Sequence, residues 1–136
     1  MTDRFEQLLQ ELGPFFNLQL RSDRHAACTV RIHEALKVQL QLDLTQENLL
    51  LFCEIIEVLP GKFREKVLLE ALKANGLPDP RIGILCYVAR NDFLALYQTY
   101  PVHLLNGESL IGLLGPFLEM AESWRKAIEN GRAAPS

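Results

Sequence analysis

Residues 36–44 read LKVQLQLDL, and this run has the clearest alternation of apolar and polar side chains in the chain. Side chains of a β-strand point alternately to the two faces of its sheet, so the run predicts a strand with one apolar and one polar face. The preceding run, CTVRI at residues 28–32, alternates in the same way, and residues 33–35 suit a turn between the two. Together they predict an antiparallel hairpin with one face toward water.

Strand-like patterns continue on both sides of this hairpin. Residues 45–48 are polar and suit a loop, and residues 49–54 predict a further strand before Pro60-Gly61 breaks the chain. Before the hairpin, Leu18 and Leu20 alternate with polar residues, so a strand is expected there as well. The region therefore predicts three or four antiparallel strands joined by short connections.

Three other segments repeat apolar residues at helical spacing. The first covers residues 2–12 and stops at Gly13-Pro14. The second covers residues 62–75, and its apolar stripe is wider than packing on one sheet face requires. The third follows Asn106, which is expected to cap it, and Gly115-Pro116 within it should kink the helix or delay its start.

Two further strands are predicted between the second and third helices, at residues 81–89 and 93–100. The strand at 81–89 is apolar on both faces, which predicts burial on both sides. The complete order is α-βββ-α-ββ-α. Such an order predicts a single α+β domain over residues 1–136, in which helices pack on an antiparallel sheet.

Composition argues against two classes of partner. Lys and Arg total 14 against 17 Asp and Glu, so the net charge is −3 and no basic patch favours nucleic acid. No apolar run approaches the roughly 20 residues that span a bilayer, and no signal-peptide core follows the amino terminus. We therefore expect a cytoplasmic protein that binds no nucleic acid and does not insert into membranes.

The sequence offers no arrangement for catalysis. Cys28, Cys53 and Cys86 lie in apolar runs, so they are expected to be reduced, buried thiols. The histidines stand in separate segments and are expected to be solvated: His25, His33 and His103. An active site needs a nucleophile beside a base, a carboxylate pair or clustered metal ligands. We therefore expect no enzyme activity, no metal and no cofactor.

The chain nevertheless carries more apolar surface than one small core requires. The first helix and Phe15-Phe16 form an apolar cluster, the helix at 62–75 has its wide stripe, and the strand at 81–89 is apolar on both faces. Apolar surface that remains uncovered after folding usually marks an interface. The surplus therefore predicts a protein that binds other polypeptides.

Two stretches give the sequence a resemblance to a known family. They are CTVRI followed by LKVQL at residues 28–40, and the ending FLEMAESWR at residues 117–125, which contains the pattern F-x-x-x-A-x-x-W-R. With the α-βββ-α-ββ-α order, they resemble the class I type III secretion chaperones, also called the Tir-chaperone family, over nearly the whole chain. Gly115-Pro116 and residues 55–60 depart from the usual pattern of the family.

The resemblance implies a cytoplasmic bacterial homodimer that works without ATP. It would bind the amino-terminal, non-globular segment of one or more secreted effectors and keep them soluble for secretion in virulence. The segment would lie in extended form on apolar patches and on a sheet edge. A related chaperone subunit could replace the second copy, and the secretion ATPase is a further partner to consider.

Two surfaces are predicted on this basis. By analogy with the family, the effector-binding groove is expected on the first helix, the Phe pair and the adjoining strands: Phe5, Leu8, Leu9, Leu12, Phe15, Phe16, Leu18, Leu20, Val30 and Ile32. The dimer seam is expected where apolar faces are in surplus, since a two-fold seam uses the same patch on both copies. Its residues are Phe63, Val67, Leu68, Leu72, Leu85 and Tyr87.

One alternative from another class stays open at the level of sequence. A small-ligand carrier or regulatory α+β domain would use an internal pocket rather than an external groove. Such a protein would copurify with a small molecule and would have no polypeptide client.

Overall fold

The computed structural model describes residues 4–78 and 82–135. Its elements follow the predicted order, so the α+β fold class is confirmed. The helices are α1 (Arg4–Leu12), α2 (Lys62–Asn75) and α3 (Gly107–Glu129), with short 3₁₀ turns at Gly13–Phe16 and Val102–Leu104. The strands are β1 (Ala27–His33), β2 (Leu36–Leu42), β3 (Asn48–Glu57), β4 (Ile84–Val88) and β5 (Phe93–Pro101).

Three strands, not four, precede α2. No strand forms between residues 17 and 26, so the predicted strand at Leu18 and Leu20 is wrong. Gly13 lies so close to this segment that a Cβ atom there would be 2.4 Å from the carbonyl oxygen of Leu18. The amide of Leu18 donates to the Gly13 carbonyl over 3.1 Å, so this segment folds back on the end of α1 instead of joining the sheet.

All five strands form one antiparallel sheet in the order β1-β2-β3-β5-β4. The edges are therefore β1 and β4. The prediction that residues 81–89 would be buried on both sides is wrong for this chain alone, because β4 has only one strand neighbour and four of its five residues are half-buried. Arg81, at the start of that predicted strand, lies outside the described residues.

One face of the sheet, here called the inner face, packs against the helices and forms the core. Leu40 of β2 pairs with Leu51 of β3, and both are fully buried. The family-like ending of the chain supplies the facing layer: Phe117, Ala121 and Trp124 of α3 are 0%, 0% and 5% exposed. The spacing of that motif thus places three apolar side chains on the core side of one helix.

The polar residues of the same motif tie α3 to the sheet. Arg125 forms ion pairs with Glu122 and Glu129, and its bond to Glu122 is the main reason that the pKa of this carboxyl falls to about 2. Glu122 Oε2 also lies 3.0 Å from Nε2 of His33, at the end of β1. His33 is exposed, as expected, and it also links the first hairpin to α3 through this contact.

Asn106 begins α3 as predicted. Its side-chain oxygen accepts from the Ser109 amide over 2.8 Å, and its own amide donates to the Ser109 hydroxyl over 2.9 Å. This reciprocal pair is a capping box, which fixes where the helix starts. The expectation that Pro116 would delay that start is wrong, since the helix runs unbroken from Gly107 to Glu129.

Candidate functional site in the uncovered apolar surfaces

Most residues of the predicted effector groove belong to the core of this chain. The apolar side of α1 packs beneath α3, so these side chains have no surface left to offer. Buried side chains cannot line a surface groove in this structure, so the prediction that these residues contact a client at the surface is wrong. The six residues are each at most 7% exposed: Phe5, Leu8, Leu9, Leu12, Leu20 and Val30.

The other four predicted groove residues lie in two separate places. Phe15 is 54% exposed beside the amino terminus of α3, in a cleft that Gly107 also lines. Ile32 is half-buried next to His33, whose ring lies 3.0 Å from Glu122. Gly107 and Glu122 are separated by about 22 Å along α3, at 1.5 Å per residue. Leu18, 49% exposed, and half-buried Phe16 complete the set.

A close contact between α1 and α3 positions Phe15. The amide of Gly107 donates to Oε1 of Glu11 over 2.8 Å, at the positive end of α3. A Cβ atom on Gly107 would lie 2.5 Å from the Cβ of Glu11, so only glycine permits this approach. Phe15 lies beside this junction of two helices, and Leu18 lies in the segment that folds back on the end of α1. We call this pair the α1-end patch.

The predicted dimer seam is divided between core and surface in a similar way. Val67 and Leu85 are buried, Leu68 and Tyr87 are half-buried, and Phe63 and Leu72 are 37% and 69% exposed. The seam cannot use Val67 or Leu85 directly, because both side chains are buried in the core of the single chain.

The exposed side of α2 carries three large apolar side chains among charged ones. Leu69 is 53% exposed and lies three residues before Leu72, so the two side chains are neighbours on the helix. Sequence reasoning placed Leu69 in the wide stripe but did not include it in the seam. We call Phe63, Leu69 and Leu72 the α2 surface. Three more exposed apolar residues lie near these elements in sequence: Leu59 before α2, Leu77 after α2 and Ile82 before β4.

Tyr87 is half-buried, and hydrogen bonds within its own subunit hold its side chain in place. Its hydroxyl donates to Asp92, and this bond is the main reason that the pKa of Tyr87 is raised. Arg64 of α2 donates to the Tyr87 hydroxyl and, over 3.1 Å, to Oδ1 of Asp92. The Arg64 guanidinium also lies 4.9 Å from the centre of the Tyr87 ring. The cluster fastens the amino-terminal part of α2 to the β4–β5 hairpin.

The outer face of the sheet changes character from one edge to the other. Pairing places Thr29, Gln39, Phe52, Tyr97 and Ile84 in one row across the five strands. The row is polar at β1 and apolar at β4. A cleft of about 370 Å³ opens on this face where the two halves meet, between charged side chains and the rings of Phe52 and Phe93.

The edge of β1 carries main-chain groups that face away from β2. Asp23 occupies those of Ala27, since its amide donates to the Ala27 carbonyl over 2.8 Å and its carboxylate accepts from the Ala27 amide over 3.1 Å. In an antiparallel ladder every second residue points outward, so Thr29 and Arg31 do so as well. In the described part of the chain, no hydrogen bond occupies the outward groups of these two residues.

The reactive side chains show no catalytic arrangement. Burial raises the pKa of the Cys53 thiol to about 12, which disfavours the nucleophilic thiolate. Cys28 is buried as expected, whereas Cys86 on the edge strand is only half-buried. Within residues 4–78 and 82–135 no group of three or more metal-ligating side chains occurs. None of the helices in these ranges is long and apolar enough to cross a bilayer.

Several solved complexes contain a chain with a similar fold. A chain of the HopA1–SchA chaperone–effector complex matches with a TM-score of 0.71 and 23% identity, covering 93% of this chain and 100% of that one. A chain of the ExsC–ExsE complex matches at 0.72 and 20%, covering 93% and 94%. A chain of the ExoT–SpcS complex from Pseudomonas aeruginosa matches at 0.66 and 17%, covering 90% and 97%. At identities below 25%, these matches show a shared fold and nothing further.

The fold is that of the class I type III secretion chaperones, as the sequence predicted. The model of the Tir chaperone protein (CesT) family matches residues 7–125, so the chain belongs to this family. The match covers all five strands, α2 and most of α1 and α3. Comparison with curated protein sequences finds no significant match.

Proposed function

We propose that this protein binds the amino-terminal, non-globular segment of a secreted effector in the bacterial cytoplasm and keeps it competent for secretion without ATP. The family assignment supports effector binding. The observation that carries the proposal is the pairing of an open strand edge on β1 with apolar side chains that the chain leaves exposed, above all Phe15 and Leu18.

The β1 edge gives a client its main-chain contacts. An incoming strand can hydrogen-bond to the outward amides and carbonyls of Thr29 and Arg31 whatever its own side chains are. Half-buried Ile32 follows Arg31 directly and lies on the inner face, where it can contact an apolar side chain of the client. This explains how one chaperone surface could hold effectors of different sequence.

The α1-end patch gives the client a second, separate anchor. A client that reaches both places along α3 must cross about 22 Å, which takes about seven residues in extended form. Ordering each residue costs about 1–2 kcal/mol, so two anchors on one folded subunit are not sufficient without apolar burial along the way. The proposal therefore requires a long client segment, with contacts spread over a large area.

The second subunit is proposed to be another copy of this chain, joined through the α2 surface. Phe63, Leu69 and Leu72 are exposed on a helix that packs on its own sheet through Val67 and Ala71. A two-fold seam would cover these side chains on both copies and would double the anchors available to one wrapped client. A related chaperone subunit with a similar helix would meet the same requirement.

The structure gives less support to a small-ligand carrier. Among the described residues the core contains no buried polar or charged side chain, and a ligand pocket needs a few such groups to orient its ligand. The cleft near Phe52 lies on the outer face and is open to solvent. For the same reasons we propose that the protein is not an enzyme.

Protease protection of a captured client tests the proposal. The tagged chain is expressed in a bacterium with a type III secretion system, and the bound proteins are digested while still attached. We expect a short protected fragment from the amino-terminal region of a secreted protein. A double variant, Phe15→Ser with Leu18→Ser, should retain less of this fragment, because one anchor is lost.

The matched control is Leu44→Ser with Leu104→Ser, since these leucines are at least as exposed, at 104% and 67%, and lie outside both anchors. It should retain the fragment as the wild type does. Capture of an intact folded domain would contradict the proposal. Equal retention by the two double variants would contradict the role of the α1-end patch.

A further inference from the structure

The last residue of α2 reaches the exposed edge of β4. Asn75 Nδ2 donates to the carbonyl of Leu85 over 2.9 Å, and the Leu85 amide donates to Asn75 Oδ1 over 2.9 Å. One side-chain amide thus makes the two hydrogen bonds that a neighbouring strand would make to the same residue. The contact spans ten positions in sequence and is only part-buried.

These bonds establish which groups of β4 face outward. Leu85 pairs with Leu96 of β5, yet its own amide and carbonyl bond to Asn75, so they point away from β5. Every second residue of an antiparallel strand has this orientation, which makes Tyr87 the only other outward residue of a strand that ends at Val88. An added strand would need the groups of both residues, and Asn75 already holds those of Leu85.

The opposite edge of the sheet has the reverse arrangement. On β1, Asp23 occupies only the outward groups of Ala27, at the start of the strand. Thr29 and Arg31 follow as two successive outward residues, with two donors and two acceptors between them. The sheet therefore has one edge ready for strand addition and one edge whose central position is filled from within the chain.

We infer that Asn75 closes the β4 edge, so that an extended polypeptide can add to this sheet only at Thr29 and Arg31 of β1. The inference that a client adds at the β1 edge rests on the proposed function, whereas the inference that Asn75 closes the β4 edge does not. Asparagine suits the position because its amide has a donor and an acceptor on one planar group. A carboxylate could accept from the Leu85 amide but would repel its carbonyl, and an alkyl group could do neither.

Closure of the β4 edge also prevents two copies of the protein from pairing through this strand. Open edges of apolar strands pair with one another, and β4 is mainly apolar. Without Asn75, two copies could join through β4 in addition to any seam at the α2 surface. The residue would then select which polypeptide contacts are allowed, without touching the client.

Amide hydrogen exchange on the isolated wild-type protein tests the inference without any client. We expect the Leu85 amide to exchange about 2- to 13-fold more slowly than those of Thr29 and Arg31, as one net hydrogen bond allows. Equal rates at the three amides would overturn the inference. Failure to bind any effector would leave this result unchanged, so the two proposals can fail separately.

Two variants then assign the protection to Asn75. In Asn75→Ala, exchange at Leu85 should rise to the rate at Thr29, whereas in Asn75→Asp the carboxylate can still accept from the Leu85 amide and should keep it protected. In both variants light scattering should show assemblies above the wild-type mass that grow with concentration. Lys73→Ala is the matched control, because its ammonium bonds only to Glu70 on the same helix, at 3.3 Å. A folded Asn75→Ala with Leu85 still protected and an unchanged mass would overturn the inference. If neither variant folds, the wild-type exchange rates alone decide.

Discussion

Leu72→Ala should dissociate the proposed dimer while leaving the subunit folded. Full burial of a leucine side chain stabilises by about 1.5–3 kcal/mol. Leu72 is 69% exposed in the single chain, so covering it at a seam is worth about 1–2 kcal/mol per copy. A two-fold seam covers Leu72 on both copies, so the residue contributes about 2–4 kcal/mol to the free energy of dimerisation. The dimer dissociation constant should therefore rise roughly 30- to 700-fold.

The fold itself should not suffer from this change. Leu72 contributes little to the core, and alanine is a better helix former than leucine at an exposed position. Changes at such positions usually alter the free energy of unfolding by less than about 0.5 kcal/mol. This separates the test from a substitution at Leu68, which is half-buried against the core and would disturb folding as well.

Sedimentation equilibrium over a range of concentrations measures the effect, with Leu104→Ala as the control. Leu104 is 67% exposed, nearly the same as Leu72, but lies in the turn before α3. We expect a weakened dimer for Leu72→Ala and an unchanged one for Leu104→Ala. Equal dissociation constants for the two variants, or a wild-type chain that stays at 15.5 kDa throughout, would refute the assignment of the seam to α2.

Two further predictions concern the positions that shape the subunit. Gly107→Ala places a Cβ atom 2.5 Å from that of Glu11 and should lower the free energy of unfolding by about 1–3 kcal/mol in urea titrations. Gly112→Ala is its control, because nothing lies within 4 Å, and a destabilisation of equal size there would contradict the steric explanation. Arg125 lowers the pKa of Glu122 to about 2, so this carboxylate stabilises the fold above about pH 4.5 and loses that effect as the pH falls toward 2. The unfolding free energy of Glu122→Gln should therefore fall less steeply with acid than that of the wild type, and equal slopes between pH 5 and pH 3 would contradict this role.

Periodicity predicted the elements well because it reports local structure. The alternation over 36–44 identified the β2 strand, and the helix at 62–75 has the bounds that its pattern indicated. Asn106 was recognisable as a cap because capping depends on neighbouring residues. The exception, Leu18 and Leu20, shows the limit: two alternating pairs predict a strand, but the Leu18 amide bonds to the Gly13 carbonyl at the end of α1 and the segment does not join the sheet.

Exposure could not be predicted in the same way. An apolar stripe shows that a helix has an apolar side, and it does not show what covers that side. The stripe of α1 is buried by its own subunit, as Leu8 and Leu9 are 0% exposed, whereas α2 leaves Leu72 at the surface. The groove was therefore placed on residues that form the core, and only Phe15 and Leu18 of that set are clearly exposed.

The polar links of the fold were missed for a related reason. His33 and Glu122 lie 89 residues apart in sequence, and no local pattern joins them. Asn75 stands directly before Gly76, so the pair looks like an ordinary helix stop, and its role at β4 depends on packing between α2 and the strand. Such contacts become visible only in three dimensions.

Calorimetry of client binding tests the central claim most directly. The protected client fragment is synthesised and titrated into the chaperone at several temperatures, and the slope of the binding enthalpy gives the heat-capacity change. Coupled folding and binding that covers at least about 1,000 Å² of mostly apolar surface should make this slope negative by about 0.3–0.5 kcal/mol/K. A slope near zero with tight binding would show that the fragment is held by a small polar contact and would contradict the account.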